Sequence, residues 1–226
     1  MVSPGSAGTG CSRRFVDRSE VILPLCPFPP LFWWCAASVD GASIDVHEHY
    51  PKRTFRNRFM LIQASGQMRW TVSVERRAGR PRSQQDTMRV TGDSDRKAWQ
   101  AVRTAYGSAP YFTEMEGELE ALFLAGPESL GGWNWATMEW MSEWLGVALP
   151  PAQETRLDVP EEHQLNMESW SRWWSDSRPS WPHVWEGRID ALDFAAMSGL
   201  DALLHLGPEA ARFIDPIPLS GFQRPE

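Results

Sequence analysis

The sequence predicts an α/β fold, in which a mixed sheet with a βαβ start and a β-hairpin is covered by helices from the C-terminal half. Two observations indicate this class. Up to about residue 75 the apolar runs have the length of strands and end at turn residues, whereas beyond about residue 93 apolar residues recur at helical spacing. The apolar fraction of 42% and the charged fraction of 23% are typical of a globular protein with a buried core.

The first half of the chain supplies the predicted strands. VILPL predicts a strand, PPLFWWCAAS a helix with proline at its first position, and ASIDVHEHY a second strand. A strand, a crossover helix and a strand in this order favour a parallel βαβ unit. RFMLIQAS and QMRWTVSVE, separated by Gly66, predict a β-hairpin, and TMRV predicts a further short strand.

The second half supplies the predicted helices. In SDRKAWQAVRTAYG, Trp99, Val102 and Tyr106 share a helical face, with Ser94 as the expected N-cap and Gly107 as the end. EGELEALFLA, PESLGGWNWATMEWMSEWLGV and SGLDALLHL predict three more helices. In the second of these, Trp140 and Trp144 lie at the spacing of a buried stripe.

Composition sets limits on domain organisation and function. Residues 1–19 are small, polar and aperiodic and predict a disordered leader; residues 20–226 predict a single domain with a polar, Trp-containing excursion at about 149–180. A net charge of −7 argues against nucleic-acid binding through bulk charge. In the apolar segment VILPLCPFPPLFWWCAAS, four prolines within residues 24–30 argue against a continuous helix, and no other run approaches the ~20 apolar residues of a membrane span. Three cysteines without metal-finger spacing fit a reducing cytoplasm.

The string VHEHYPKRTFRNRF, residues 46–59, concentrates the candidate functional groups. On a strand, His47 and His49 would share a face while Glu48 pointed away, which leaves metal binding, acid–base chemistry and a structural role all open. On the same reasoning Arg56 and Arg58 share a face. They would either grip a phosphate or carboxylate or form a solvated strand edge.

This string, with AWQAVRTAYGSAPYF about fifty residues later, resembles the WbqC-like family of bacterial surface-polysaccharide gene clusters. The resemblance spans about residues 21–214. The matching residues are His47, Glu48, His49, Tyr50, Lys52, Phe55, Arg56, Asn57, Arg58, Ala105, Tyr106, Gly107, Pro110, Tyr111, Phe112, Leu200, Asp201, Gly207, Pro208 and Glu209. The chain departs from the family pattern at His183, where glutamine is usual, at His205, where asparagine is usual, and at Ala195 and Ala196, where the pattern has Pro-Asn.

The resemblance implies a cytoplasmic transferase that places an acyl or aminoacyl group on an amino-sugar nucleotide. His47 or His49 would be the base, and Asn57 or Tyr50 would donate to the developing oxyanion. The expected substrate-binding residues are Lys52, Arg56, Arg58, Tyr106, Tyr111 and Asp201. We expect no cofactor and no resident metal.

The partners and the rival functions stay open at this point. The arginine-rich loop at residues 76–82 would either receive an acyl or aminoacyl carrier protein or be a solvated loop. One alternative function is a non-catalytic binder of an anionic sugar nucleotide, and another is a metal-dependent hydrolase that uses His47 and His49.

Overall fold

The fold is described from a computed structural model covering residues 21–48, 50, 54–75, 83–154, 180–187 and 197–214. Within these residues, two small two-stranded sheets and five α-helices confirm the α/β prediction. The predicted leader, most of the predicted excursion, the arginine-rich loop, His49 and Lys52 lie outside the described residues. Among the helices within these ranges, none is both long enough and apolar enough to cross a membrane.

The N-terminal unit is the predicted βαβ arrangement. β1 (Val21–Pro24) pairs in parallel with β2 (Ala42–Asp45), and α1 (Leu31–Ala37) connects them. Every residue of α1 is buried, and Pro30 is its N-cap, directly before the first helical residue. The indole nitrogen of Trp33 donates to the carbonyl oxygen of Pro24 at 3.0 Å, which ties the helix to the end of β1.

The predicted hairpin is also present. β3 (Arg58–Gln63) pairs antiparallel with β4 (Gly66–Thr71), and Gly66 has φ +108° where the chain turns back. TMRV, by contrast, does not form the predicted strand. Its residues Met88 and Arg89 make only isolated bridges to Ser129 and Val74.

The helices that cover the sheets are α2 (Asp93–Tyr106), α3 (Phe112–Ala125), α4 (Leu130–Leu145) and α5 (Gly199–Leu206), and a 3₁₀ helix (Gly207–Phe213) follows α5. Gly92, not Ser94, is the N-cap of α2, so the predicted cap was wrong, while Gly107 is the C-cap as predicted. Trp140 is buried and Trp144 half-buried, and both indole nitrogens donate to Glu118 Oε2 at 2.8 Å.

Two local corrections change the geometry expected at the candidate site. β2 ends at Asp45, not at Tyr50, because the Asp45 Oδ1 atom accepts a hydrogen bond from the His47 backbone N–H at 2.8 Å and bends the chain out of the strand. Arg56 lies in a 3₁₀ helix (Phe55–Asn57), whereas Arg58 begins β3. The alternation expected along a strand therefore applies neither to His47 nor to the two arginines.

Candidate functional site

A buried polar network supports the segment that follows β2. The carboxylate of Glu48 accepts hydrogen bonds from Arg56 Nε at 2.8 Å and Arg56 Nη2 at 2.7 Å. Gln84 Nε2 donates to the same carboxylate at 2.6 Å, and Asn134 Nδ2 donates to Gln84 Oε1 at 2.8 Å. This chain of contacts connects the post-β2 segment to α4; we call these four residues the base network.

Main-chain contacts fix the base network in place. Gln84 Nε2 also donates to the carbonyl oxygen of Leu25, and Asn134 Nδ2 also donates to the carbonyl oxygen of Arg56. One turn along α4, Thr137 Oγ1 accepts from the backbone N–H of Phe28, which has φ +43°. The turn after β1 and the 3₁₀ helix are thereby both held against one face of α4.

Burial dominates the electrostatics of the base network. It raises the pKa of the Glu48 carboxyl above its ordinary value, and the Arg56 guanidinium acts in the opposite direction. Burial also raises the pKa of the neighbouring Cys26 thiol strongly, although the positive charge of Arg56 opposes this. A thiol in that state is a poor nucleophile at neutral pH.

Three of the sequence-predicted residues are half-buried and lie on one stretch of chain, between the end of β2 and the start of β3; we call them the rim: His47, Tyr50 and Arg58. His47 directly precedes Glu48, and Arg58 directly follows the 3₁₀ helix that carries Arg56. Burial raises the pKa of the Tyr50 phenol, and the positive charge of Arg58 acts in the opposite direction, which means that the two side chains influence each other. All three side chains are half-buried, so each has part of its surface in contact with solvent.

Asn57 is placed differently. Its side chain is buried, and its Nδ2 atom donates to the carbonyl oxygen of Val72 at 3.1 Å, across the hairpin. Its Oδ1 atom is buried and has no hydrogen-bond partner among the described residues. Burial of the Asn57 side chain and its bond to Val72 therefore make it poorly placed to donate to an oxyanion at the surface.

A second buried polar cluster surrounds the predicted residues Tyr106 and Asp201. Asp201 Oδ2 accepts from the Tyr106 hydroxyl at 2.8 Å and lies 3.0 Å from His183 Nε2, while Asp201 Oδ1 accepts from Trp181 Nε1 at 2.9 Å. His205 Nδ1 lies 2.8 Å from the carbonyl oxygen of Asp201. Burial raises the pKa of Tyr106 well above its ordinary value, and the Asp201 charge adds to this effect.

This second cluster is separate from the rim. The Tyr106 hydroxyl accepts from the Ile62 N–H at 3.0 Å, at the far end of the strand that begins with Arg58. Four residues of strand correspond to about 13 Å. Tyr111, also predicted as a substrate contact, is half-buried and its backbone N–H donates to the carbonyl oxygen of Leu204.

Sequence reasoning missed Gln84 and Asn134 altogether, and it identified His183 and His205 only as departures from a family pattern. Asn134 carries a recognisable signal, because it is an amide between two tryptophans on a helix with an apolar core-facing side. Gln84 lies in an irregular stretch and carries no such signal.

Comparison with known proteins gives one positive result. The sequence model of the WbqC-like protein family matches residues 26–173, about two thirds of the chain. This range contains the rim, the base network and Tyr106, and ends before the segment that carries His183. No curated protein and no solved structure matches the chain.

Proposed function

Since the chain belongs to the WbqC-like protein family, we propose that it is a transferase of bacterial surface-polysaccharide biosynthesis, which places an acyl or aminoacyl group on the amine of an amino-sugar nucleotide. The observation that supports this proposal best is the rim of His47, Tyr50 and Arg58, a basic imidazole, a phenol and a guanidinium on a segment that the base network holds in place. A base, a neutral donor and a cation are the three groups that such a transfer needs.

His47 is the base in this mechanism. The sugar amine attacks the carbonyl carbon of an acyl thioester, so that a C–N bond forms, the C–S bond breaks and a thiol leaves. The amine loses a proton in the process, and imidazole is the side chain best suited to accept it near neutral pH. His47 is half-buried, and its backbone N–H is fixed by Asp45, so its ring emerges from a defined turn.

Tyr50 is the donor to the oxyanion. Its raised pKa keeps the phenol protonated at neutral pH, and a preorganised donor of this kind contributes about 3 kcal/mol to transition-state stabilisation. Asn57 shared this role in the sequence prediction, but its side chain is buried and one of its two Nδ2 hydrogens is bound to the Val72 carbonyl oxygen. Tyr50 is for that reason the better candidate.

Arg58 binds the pyrophosphate of the nucleotide. Arg56 is less suited to this role, because two of its three guanidinium nitrogens, Nε and Nη2, donate to Glu48. Arg56 and Glu48 instead act as positioning residues for the rim. His49 and Lys52 belong to the proposed site through the family resemblance, as second base and second cation.

Tyr106 and Asp201 act through the scaffold in this proposal. Both side chains are fully buried, and the Tyr106 hydroxyl binds the Ile62 N–H of β3, the strand whose first residue is Arg58. They fix β3 and thereby the position of the arginine.

The test combines turnover and binding. Purified protein is incubated with an acyl thioester and a UDP-amino sugar that has a free amine, and N-acylated product is measured by mass spectrometry. Binding of the nucleotide sugar is measured by calorimetry at low and high salt. We expect the wild-type protein to form product without any added metal.

Three variants separate the roles. His47→Gln should reduce turnover by ~10²–10⁴-fold while nucleotide binding and the melting temperature stay near wild type. Arg58→Gln should weaken nucleotide binding and reduce its salt dependence, whereas Arg69→Gln, an exposed arginine on the neighbouring strand β4, should change neither. Binding without turnover would make the protein a non-catalytic binder, and binding unaffected by Arg58→Gln would remove the rim as the site.

A further inference from the structure

Residues 180–187 are attached to the helices by contacts that converge on one carboxylate. Trp181 Nε1 donates to Asp201 Oδ1 and His183 Nε2 contacts Asp201 Oδ2, both on α5. Trp185 Nε1 donates to the carbonyl oxygen of Ala105 on α2 at 3.0 Å. The attachment of this segment therefore depends strongly on the state of Asp201 and its histidine neighbours.

Backbone donors determine the tautomer of both histidines. The Trp185 N–H donates to His183 Nδ1 at 3.1 Å, and the Val184 N–H donates to His205 Nε2 at 3.3 Å. A nitrogen that accepts a hydrogen bond carries no proton, and a neutral imidazole has one N–H. The protons therefore lie on His183 Nε2 and His205 Nδ1, and both of these atoms face Asp201.

This arrangement accommodates neutral rings and disfavours a charged one. An additional proton on either ring would have to go to the nitrogen that faces a backbone N–H, because the other nitrogen already donates to Asp201. A protonated ring would be attracted to the negative charge of Asp201. It would gain no hydrogen bond there, however, and it would lose the bond that it accepts from a backbone N–H. The two rings also stack with their centroids 4.0 Å apart, so a charge on one ring disfavours a charge on the other.

Among the described residues, no group supplies a compensating contact. Within that part of the chain, Tyr106 and Asp201 are the titratable groups that face the rings from α2 and α5. Glu186 in the segment itself is exposed, and Arg212 of the following 3₁₀ helix is exposed and pairs with Glu209. Burial lowers the pKa of His205, the Asp201 charge acts in the opposite direction, and His183 adds to the lowering.

We propose that His205, stacked on His183, acts as a pH-operated latch, which holds residues 180–187 on α2 and α5 while its ring is neutral and releases the segment when that ring takes up a proton. Release frees the Val184 and Trp185 N–H groups and exposes the Tyr106–Asp201 pair. No member of the latch belongs to the rim, but Asp201 also accepts from the Tyr106 hydroxyl, which binds β3.

The same three side chains, His183, Asp201 and His205, are close enough together to hold a metal ion. A ligating imidazole, however, must direct a lone pair at the metal, and its other nitrogen then carries a proton. Here the nitrogens near Asp201 carry the protons, and the far nitrogens meet N–H donors. The geometry therefore favours a latch over a metal centre.

The direction of the pH dependence follows from linkage. Because burial lowers the pKa of His205 in the closed state, the closed latch binds fewer protons than the open one, so its stability is complete above the ordinary histidine pKa of about 6.5 and decreases as the pH falls below it. Each histidine that is protonated only in the open state increases the opening equilibrium by ~10-fold per pH unit below that value.

Hydrogen exchange measures the opening directly. The amides of Val184 and Trp185 are followed by mass spectrometry at about pH 7.5 and about pH 5.5, with correction for the intrinsic exchange rate. We expect their protection to fall by ~10-fold or more on acidification, while amides of α3 and α4 keep theirs. Equal protection at the two pH values, or a loss spread over all helices, would contradict the latch.

Two variants and one ligand complete the test. In the double variant His183→Gln and His205→Asn, amide N–H groups replace the donors to Asp201 without titrating, so protection should no longer depend on pH. Trp181→Phe removes one hydrogen bond to Asp201 whose indole donor does not titrate. This variant should therefore increase opening equally at both pH values. The proposal fails if the double variant retains the pH dependence, or if the wild-type protein binds one equivalent of Zn²⁺ that this variant does not bind.

Discussion

Replacement of Arg56 by methionine tests the base network most directly. The substitution keeps an unbranched apolar stem but removes the two hydrogen bonds to Glu48 and the positive charge between them. Breaking a buried ion pair on one side costs 3–5 kcal/mol, because the remaining charge stays buried. The Arg56 and Glu48 side chains are 14% and 15% exposed, so limited solvation lowers the expected loss to about 3 kcal/mol at pH 7. A loss of this size is a large fraction of the ~5–15 kcal/mol that typically stabilises a protein.

The pH dependence of stability distinguishes the loss of the Arg56 charge from the loss of its packing. Burial already raises the pKa of Glu48, and loss of Arg56 removes the opposing influence, so the native pKa rises further above the unfolded value. The native variant then takes up a proton in a pH range where the unfolded chain does not. Its stability relative to wild type must increase as the pH falls through the native pKa, by at most ~1.4 kcal/mol per pH unit.

The assay is urea denaturation of the wild-type protein, Arg56→Met, Glu48→Gln and the double variant, at pH 7 and at mildly acidic pH. The latch titrates equally in all four proteins, so its contribution cancels in the differences. We expect the losses in the free energy of unfolding of the two single variants to add up to at least ~1.5 kcal/mol more than the loss of the double variant, since each single variant leaves the other partner buried. Arg96→Met, in an exposed pair with Asp93, should cost less than ~0.5 kcal/mol.

Two outcomes would refute this reasoning. Additive single effects would show that Glu48 and Arg56 stabilise the protein independently, despite their bidentate contact. A stability deficit of Arg56→Met that grows on acidification would show that Glu48 is not left as a buried carboxylate. In either case the rim would lack the support that the proposed mechanism requires.

Much of the fold was predictable because its signals are local. The βαβ unit is specified by two short apolar runs around a proline-initiated helix, and the hairpin by two strand patterns on either side of Gly66. The extent of β2 was not predictable in the same way. ASIDVHEHY continues to alternate after Asp45, but a single side-chain contact from Asp45 to the His47 N–H ends the strand.

The same difference between local and long-range signals applies to the residues of the candidate site. His47, Glu48 and Arg56 lie within one short string and could be found there by composition. Asn134 could be noticed as an amide on an apolar helix, but neither Asn134 nor Gln84 could be assigned to this site, because Gln84 is 36 residues from Glu48 and Asn134 is 78 residues from Arg56. Such contacts depend on how the helices pack, and each involves a single amide without a repeating pattern.

Two further predictions concern Tyr106, in the second buried polar cluster, and Gly207, which directly follows α5. Tyr106→Phe removes the hydroxyl between the Ile62 N–H and a buried carboxylate, and should cost about 2–4 kcal/mol in urea denaturation; a loss below ~0.5 kcal/mol would contradict the role of this hydroxyl in fixing β3. Gly207→Ala is the stronger perturbation of backbone geometry. Gly207 has φ +59° and ψ −141°, and a Cβ atom there would overlap the ring of Tyr111. Gly66→Ala is the matched control, since Gly66 also has positive φ but open space around the added atom. Backbone strain of about 1–3 kcal/mol is expected at both positions, and steric overlap adds about 1–3 kcal/mol at Gly207 alone, so equal losses would mean that Tyr111 does not pack against this turn.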